Sequence, residues 1–197
     1  MREMIRLIVT VLAFSAFSGG LLAALHNGTQ ARIEYQVLKF VKGPTIKQIM
    51  AGAANDPLTD RFKVTDGEIG REFYVGVFEG KPKVVAFESF GKGYEGELGV
   101  IVAVNIENDE IVGIGVTTHR ETPGVGARVK TDPSFAEQFK GLPLKEPFKI
   151  RPDGGQIDAI SGASFSSRGV CEAVTKATGI YTKHKRDIVE KLKSFKT

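Results

Sequence analysis

Nineteen consecutive residues near the start of the chain, Leu7 to Leu25, carry no charge, and LIVTVLAFSAFSGGLLAAL reads as one apolar block. As a helix it would span about 28 Å at 1.5 Å per residue, close to the hydrocarbon thickness of a bilayer. Arg2 and Arg6 precede it. The positive-inside rule then predicts a cytoplasmic N-terminus, a single pass through the cell (inner) membrane and an extracytoplasmic remainder. A cleavable signal peptide is the competing reading. The long apolar core and the imperfect small-residue pattern around Leu22-Ala23-Ala24 favour a retained anchor. Ser15, Gly19 and Ala23 recur at four-residue spacing, as do Ala16, Gly20 and Ala24. Such stripes suit close packing against another membrane helix, and they also arise from the abundance of small residues in membrane spans.

Beyond the anchor the pattern changes period. Ala31 to Lys42 continues at helical spacing, with Ile33, Val37, Leu38 and Val41 on one face, and Gly43-Pro44 is expected to break it. Asp56 to Asp66 reads as loop or short helix. Strands are predicted at Phe73–Phe78 and, after the Glu79-Gly80-Lys81-Pro82 turn, at Lys83–Phe87. Two further β-rich runs, Val100–Ile106 and Ile111–Thr118, are joined by Glu107-Asn108-Asp109-Glu110 as a hairpin. Gly113 and Gly115 leave one side of the second run bare, where another backbone or a flat ring could approach. Pro133–Lys140 reads as a helix with Asp132 as N-cap, Phe135 and Phe139 on one face, and Gly141 as its stop. Short strands are expected near Phe148–Arg151 and Gln156–Ala159. The last helix is expected from about Ser166, with a break near Gly179 and with Ile188, Leu192 and Phe195 on one face.

Strands cluster and helices cluster, without βαβ alternation. The fold class expected is therefore α+β: one N-terminal transmembrane helix, then a single domain with a largely antiparallel sheet flanked by helices. The domain bounds expected are 1–28 for the cytoplasmic N-terminus and anchor, 29–66 for a juxtamembrane helix and connector, and 67–197 for the extracytoplasmic domain.

The 197 residues include 42% hydrophobic and 25% charged positions, ordinary for a folded domain plus an anchor, and the net charge is +4. The basic C-terminal run of Lys183, Lys185, Arg186, Lys191, Lys193 and Lys196 lacks stacking aromatics or a nucleic-acid module, so a solvated helix face is expected and no nucleic-acid partner. The single cysteine, Cys171, excludes an intramolecular disulfide and a cysteine metal cluster. It is expected to be a buried structural thiol. No metal site is expected.

The chemistry concentrates at Ser161-Gly162-Ala163-Ser164, between a strand-like run and a helix-like run. Free N–H groups and the positive dipole end of a helix favour phosphate, and Gly162 and Ala163 leave room for a bulky group. The residues alone leave several readings open. The turn is a Ser-rich N-cap, or it holds a phosphate non-covalently, or Ser164 carries one covalently.

The run Asp158-Ala-Ile-Ser161-Gly162-Ala163-Ser164-Phe-Ser166 resembles the Asp-x-x-Ser/Thr-Gly-Ala-Thr motif of the FMN-binding domain family. That domain occurs in the G subunit of the Rnf (ferredoxin:NAD oxidoreductase) ion-translocating complex and in the C subunit of sodium-translocating NADH:quinone reductase. Thr118-His119-Arg120-Glu121-Thr122-Pro123-Gly124-Val125-Gly126 resembles the family's Glu-Thr-Pro-Gly-x-Gly loop, and Gly91-Lys92-Gly93-Tyr94-Glu95-Gly96 its Gly-Tyr-x-Gly segment. The resemblance implies phosphoester-linked FMN on Ser164, within a turn that includes Ser161, Gly162 and Ala163. It implies that Glu121, Thr122, Gly124 and Gly126 lie against the isoalloxazine ring. It also implies an electron-transfer role without catalytic residues, other membrane and peripheral subunits as partners, and a flavin transferase for maturation. Short length favours the Rnf-type protein over its quinone reductase relative.

The family's usual acceptor is Thr, and here it is Ser. Natural use of Ser, loss of the covalent link with FMN still bound, and a deliberate substitution are all compatible with the sequence. Three flanking residues carry open roles. His119 could act as acid or base, although flavin electron transfer requires none. Tyr94 could stack on or edge the ring, or pack in the core or rim. Asp158 could orient the acceptor hydroxyl, hold a metal used by the transferase, or cap the turn. The alternative function is an anchored extracytoplasmic domain that binds FMN or another phosphate ligand non-covalently as a sensor or assembly module.

Overall fold

The computed structural model describes residues 1–66, 69–145 and 147–195. The chain forms two compact units, Met1–Phe40 and Val41–Thr197. The expected boundary at residue 67 and the basic residue Lys196 lie outside the described residues.

The first unit is helical. Helix α1 spans Arg2–Val37 and buries none of its residues. Among the described residues one helical stretch, Arg2–Ile49, is long and apolar enough to cross a membrane. A π-helical turn, Leu38–Lys42, follows α1, and helix α2 spans Gly43–Ile49. The expected break at Gly43-Pro44 does not occur. Pro44 falls in the first turn of α2, where its missing N–H costs nothing.

The second unit is built on five strands: β1 (Arg61–Asp66), β2 (Ile69–Phe78), β3 (Lys81–Lys92), β4 (Glu97–Asn105) and β5 (Glu110–Val116). They lie in the order β1-β2-β3-β4-β5, every pair antiparallel. β1 was expected as loop or helix. It pairs with β2 along its length, and Phe62 stacks on Phe73 at 5.5 Å. Its residues RFKVTD carry only two apolar positions, so cross-strand pairing decides its state rather than its own pattern.

Side chains alternate between the two faces of a strand. One face packs under helix α5 (Ser164–Leu192), where Phe73, Val85, Phe87, Val100, Val102, Ile114 and Val116 meet Val170, Val174, Ala177 and Ile188. On the other face, Gly113 and Gly115 look at Ile49 and Thr45 of α2. The bare side of β5 therefore receives a helix and not a flat ring. Covered on both faces, β4 buries every residue from Leu98 to Val104, which is why it reads as a continuous apolar run.

Two short helices follow β5: α3 (Arg128–Thr131) and α4 (Pro133–Glu137). Asp132 caps α4 by accepting from Ser134 N at 3.1 Å, and Phe135 and Phe139 are buried. The strands expected near 148–151 and 156–159 reduce to one bridge between Ile150 and Ile157 around a 3-10 turn, Arg151–Asp153. Gly155 packs against Lys149, where a Cβ would collide with the carbonyl oxygen. Helix α5 starts at Ser164 and runs unbroken through Gly179, because the flanking residues Ala177, Tyr181 and His184 are buried and hold it in place. Cys171 is buried within α5, and burial pushes its thiol up to about 12.

Asp109, in the β4–β5 turn, fastens the middle of α5. It accepts from Tyr181 Oη at 2.7 Å and from Lys185 Nζ at 2.6 and 2.7 Å. Burial pushes its carboxyl up, but these donors outweigh it and hold the carboxyl below the ordinary range. Hydrogen bonds from Ser134, Arg168 and Lys176 likewise lower Asp132, Asp153 and Glu172. A depressed folded-state pKa stabilises the fold above the ordinary carboxylate value and is lost as pH falls through the folded value. The melting temperature is expected to fall steeply below about pH 4. Asp109→Ala should cost about 1–3 kcal/mol at pH 7, because the buried Tyr181 hydroxyl loses its acceptor. Circular dichroism melts across pH 3–7 check both.

Candidate functional site

The Ser161-Gly162 turn leads into α5. Gly162 has φ +79, which a side chain would strain. The N-cap is Ala163, so no side-chain oxygen caps the helix. A Ser-rich N-cap in the usual sense is thus absent, and the first-turn amides have no capping acceptor of their own. The serines divide by helical phase. Ser167 faces inward, donating to Ala163 O at 2.9 Å and accepting from Ile160 N at 3.1 Å. Ser166 also faces inward and donates to Glu121 Oε2. Ser164 is half-buried in the first position of α5, and its hydroxyl makes no hydrogen bond with the described residues.

Two further segments converge on this turn. At the end of β3, Gly91 and Gly93 bring the backbone against α5, where a Cβ on Gly169 would stand 2.7 Å from Lys92 O. The 121–126 loop brings Val125 to Gly162, where a glycine Cβ would lie 3.9 Å from Val125 Cγ1. Thr122 Oγ1 donates to Glu95 Oε1, tying the loop to the Tyr94 turn. Glu121 is 4% exposed beneath these segments. Around the Ser164 position the surface is apolar and open: Tyr94 is 71% exposed, Phe165 61% and Val125 46%. The Tyr94 and Phe165 rings stand 6.0 Å apart. Arg168 lies 5.5 Å over the Phe165 ring while its guanidinium forks onto Asp153 at 2.6 and 2.9 Å.

The structure thus brings Tyr94, Glu121, Thr122, Gly124, Gly126, Ser161, Gly162, Ala163 and Ser164 into three adjoining segments. Tyr94 is outside the core, and its ring meets Phe165 of α5 at the exposed rim. Asp158 stands apart in its contacts: its carboxylate pairs with Arg151 at 2.5 Å, and its backbone is held by the Gln138 amide. No hydrogen bond joins it to Ser164. His119 is half-buried with Nδ1 enclosed and unpartnered. Burial and the nearby Lys130 hold it below the ordinary imidazole value, so its neutral form is favoured. No group of three or more His, Cys, Asp or Glu that could hold a metal is present among the described residues. Phe165, Val125 and Ser166 also line these segments; the sequence motifs run through them but assign them no role. The helical phase of α5 could have exposed Phe165, the one large apolar residue on an outer face otherwise made of Arg168, Glu172 and Lys176.

Comparison with known proteins draws these segments together. A family model described as the FMN-binding domain matches residues 93–179, which span all three. The G subunit of the ion-translocating oxidoreductase complex of Methanosarcina acetivorans is 34% identical over 179 residues, 89% of this chain and 93% of that one. The chain belongs to the family of ion-translocating oxidoreductase complex G subunits. A second member, from Shewanella oneidensis, is 28% identical over 187 residues, covering 89% of this chain and 88% of its own. Among solved structures, the C subunit of the Na(+)-translocating NADH-quinone reductase from Parabacteroides distasonis aligns with TM-score 0.54 and 25% identity, over 63% of this chain and 76% of that one. NqrC of Shewanella oneidensis aligns with TM-score 0.51 and 26% identity, over 73% and 72%.

Proposed function

We propose that this chain is the membrane-anchored flavoprotein subunit of an Rnf-type ion-translocating electron-transport complex, with FMN ester-linked to Ser164 Oγ. The observation that carries the reading is the partner-free Ser164 hydroxyl at the uncapped start of a 29-residue helix, beside an exposed aromatic pair. Those residues fit the group. The first-turn amides of α5 and its positive dipole end suit a phosphate. Tyr94 and Phe165 offer two aromatic faces to a flat ring system, and the Thr122–Gly126 loop offers backbone polar groups at its edge. The flavin, once attached, supplies the redox chemistry, while the protein orients and tunes it.

Attachment is a group transfer. Ser164 Oγ forms a bond to phosphorus, and the pyrophosphate bond of a flavin dinucleotide donor breaks. A nucleoside monophosphate leaves, and the hydroxyl proton passes to a base of a flavin transferase. Helix α1 anchors the chain with the N-terminus in the cytoplasm, where Arg2 and Arg6 lie. The second unit is then extracytoplasmic, and electrons pass between it and the other membrane and peripheral subunits. No dinucleotide-binding glycine motif follows a strand in the sequence, so the hydride donor binds a different subunit.

The intact mass of the chain purified from membranes, with peptide mapping, tests the reading. One FMN ester on the peptide containing Ser161–Arg168 is expected. An unmodified mass with yellow colour lost on denaturation would overturn the covalent link in favour of reversible binding. A colourless, unmodified chain would overturn both.

A further inference from the structure

We infer that Glu121 is the positioning residue of the acceptor site, holding the Tyr94 turn and the first turn of α5 in the geometry that presents Ser164. The inference rests on the reading of Ser164 as the flavin acceptor. The carboxylate joins three segments that are distant in sequence. Oε1 accepts from Tyr94 N at 2.9 Å and from Glu95 N at 3.3 Å, and Oε2 accepts from Ser166 Oγ. Ser166 stands two residues beyond Ser164 on the same helical turn. Tyr94 itself donates to this carboxylate and Phe165 adjoins Ser166, so the carboxylate braces the backbones that carry the two rings, which stand 6.0 Å apart.

The neighbouring glycines are shaped around the same group. A Cβ at Gly126 would stand 2.6 Å from Oε2 and 2.9 Å from Ser166 Oγ, and a Cβ at Gly93 would collide with Oε1. With 4% exposure and both oxygens engaged, Glu121 acts through Tyr94 and Ser166 and not on the outer surface. A carboxylate suits the task because its two oxygens offer about four lone-pair sites to three donors. An amide can do nearly the same. The Gln oxygen accepts from the two backbone N–H groups, and its NH2 donates to the Ser166 hydroxyl.

The test is the rate at which the full-length membrane chain gains the ester when a flavin transferase and a flavin dinucleotide are supplied, read by intact mass. Each variant's melting temperature is measured in parallel. Glu121→Ala is expected to slow loading by about 100-fold, the scale of an ångström-sized misplacement of a reacting group. Glu121→Gln is expected to restore loading to near the wild-type rate. Asp109→Ala, which loosens the opposite end of β4 without touching the site, is expected to load at the wild-type rate despite its lower melting temperature. Loading of Glu121→Ala at the Asp109→Ala rate would overturn the inference and leave Ser164 as acceptor. Failure of Glu121→Gln to restore loading would also overturn it, because charge and not placement would then matter. A wild-type chain that gains no ester would overturn the Ser164 reading and this inference with it.

Discussion

Ser164→Ala is expected to abolish ester-linked flavin and to leave the melting temperature nearly unchanged. The two halves of that result have separate causes. Loading needs an oxygen nucleophile, and alanine has none. The flanking serines cannot replace it, since the Ser166 and Ser167 hydroxyls are buried and hydrogen-bonded to Glu121, Ala163 and Ile160. Ser161 is exposed, but it lies on the far side of the Gly162 turn, outside the helix whose amides face a phosphate. Stability barely changes because the Ser164 hydroxyl bonds to nothing among the described residues, so its removal breaks no hydrogen bond and should cost no more than about 0.5 kcal/mol. Ser164→Thr is expected to load at least as well as the wild type, because the extra methyl restricts χ1 and narrows the orientations of the hydroxyl. Intact mass after expression with a flavin transferase reads all three proteins. Ester on the Ala variant, mapped to Ser161 or Ser166, would reassign the acceptor.

The pattern of apolar positions made the sheet legible from β2 to β5, because β-branched and aromatic runs punctuated by turn residues have few other solutions. β1 was hidden because its stability comes from pairing with β2 and from Phe62 meeting Phe73, neither of which is a local property. The start of α5 and its passage through Gly179 were hidden for a related reason: tertiary burial of residues on either side outweighs the weak helix propensity of one glycine. At the site, the glycine- and serine-rich motifs marked which segments converge. They did not mark which atoms face inward. Glu121 reads in sequence as a loop residue available to a ligand, yet the fold turns it beneath the loop. Asp158 reads as a neighbour of the acceptor, yet Arg151 engages it. The orientation of Glu121 depends on contacts across 26 to 45 residues of chain, and no local pattern encodes it.

Gly91→Ala is expected to destabilise the second unit by about 3 kcal/mol, at the upper end of the usual overpacking range. The reason is backbone, not side-chain, crowding. A Cβ at Gly91 would fall on the carbonyl of Gly169 and stand 2.8 Å from Ala173 N and 2.9 Å from Gly169 C. Rotamer changes relieve a clash with a flexible side chain, but here the whole of α5 must lift away from β3. The reciprocal contact is equally tight, since a Cβ on Gly169 would lie 2.7 Å from Lys92 O and 2.8 Å from Leu98 Cδ1. The strand and the helix therefore touch through two glycines, directly behind the segments that carry Tyr94 and Ser164. Lifting α5 at this point separates Ser166 from Glu121, so flavin loading should fall together with stability. Gly179→Ala supplies the opposing case in the same helix. A Cβ there meets nothing within 4 Å, and replacing a helical glycine by alanine should stabilise by about 0.5–1 kcal/mol. At about 2–4 °C per kcal/mol for a domain of this size, the Gly91 variant should melt about 6–12 °C lower and the Gly179 variant slightly higher than the wild type. A Gly91→Ala protein that melts and loads like the wild type would mean that α5 does not rest on the β3 backbone, and the convergence of segments around Ser164 would lose its physical basis.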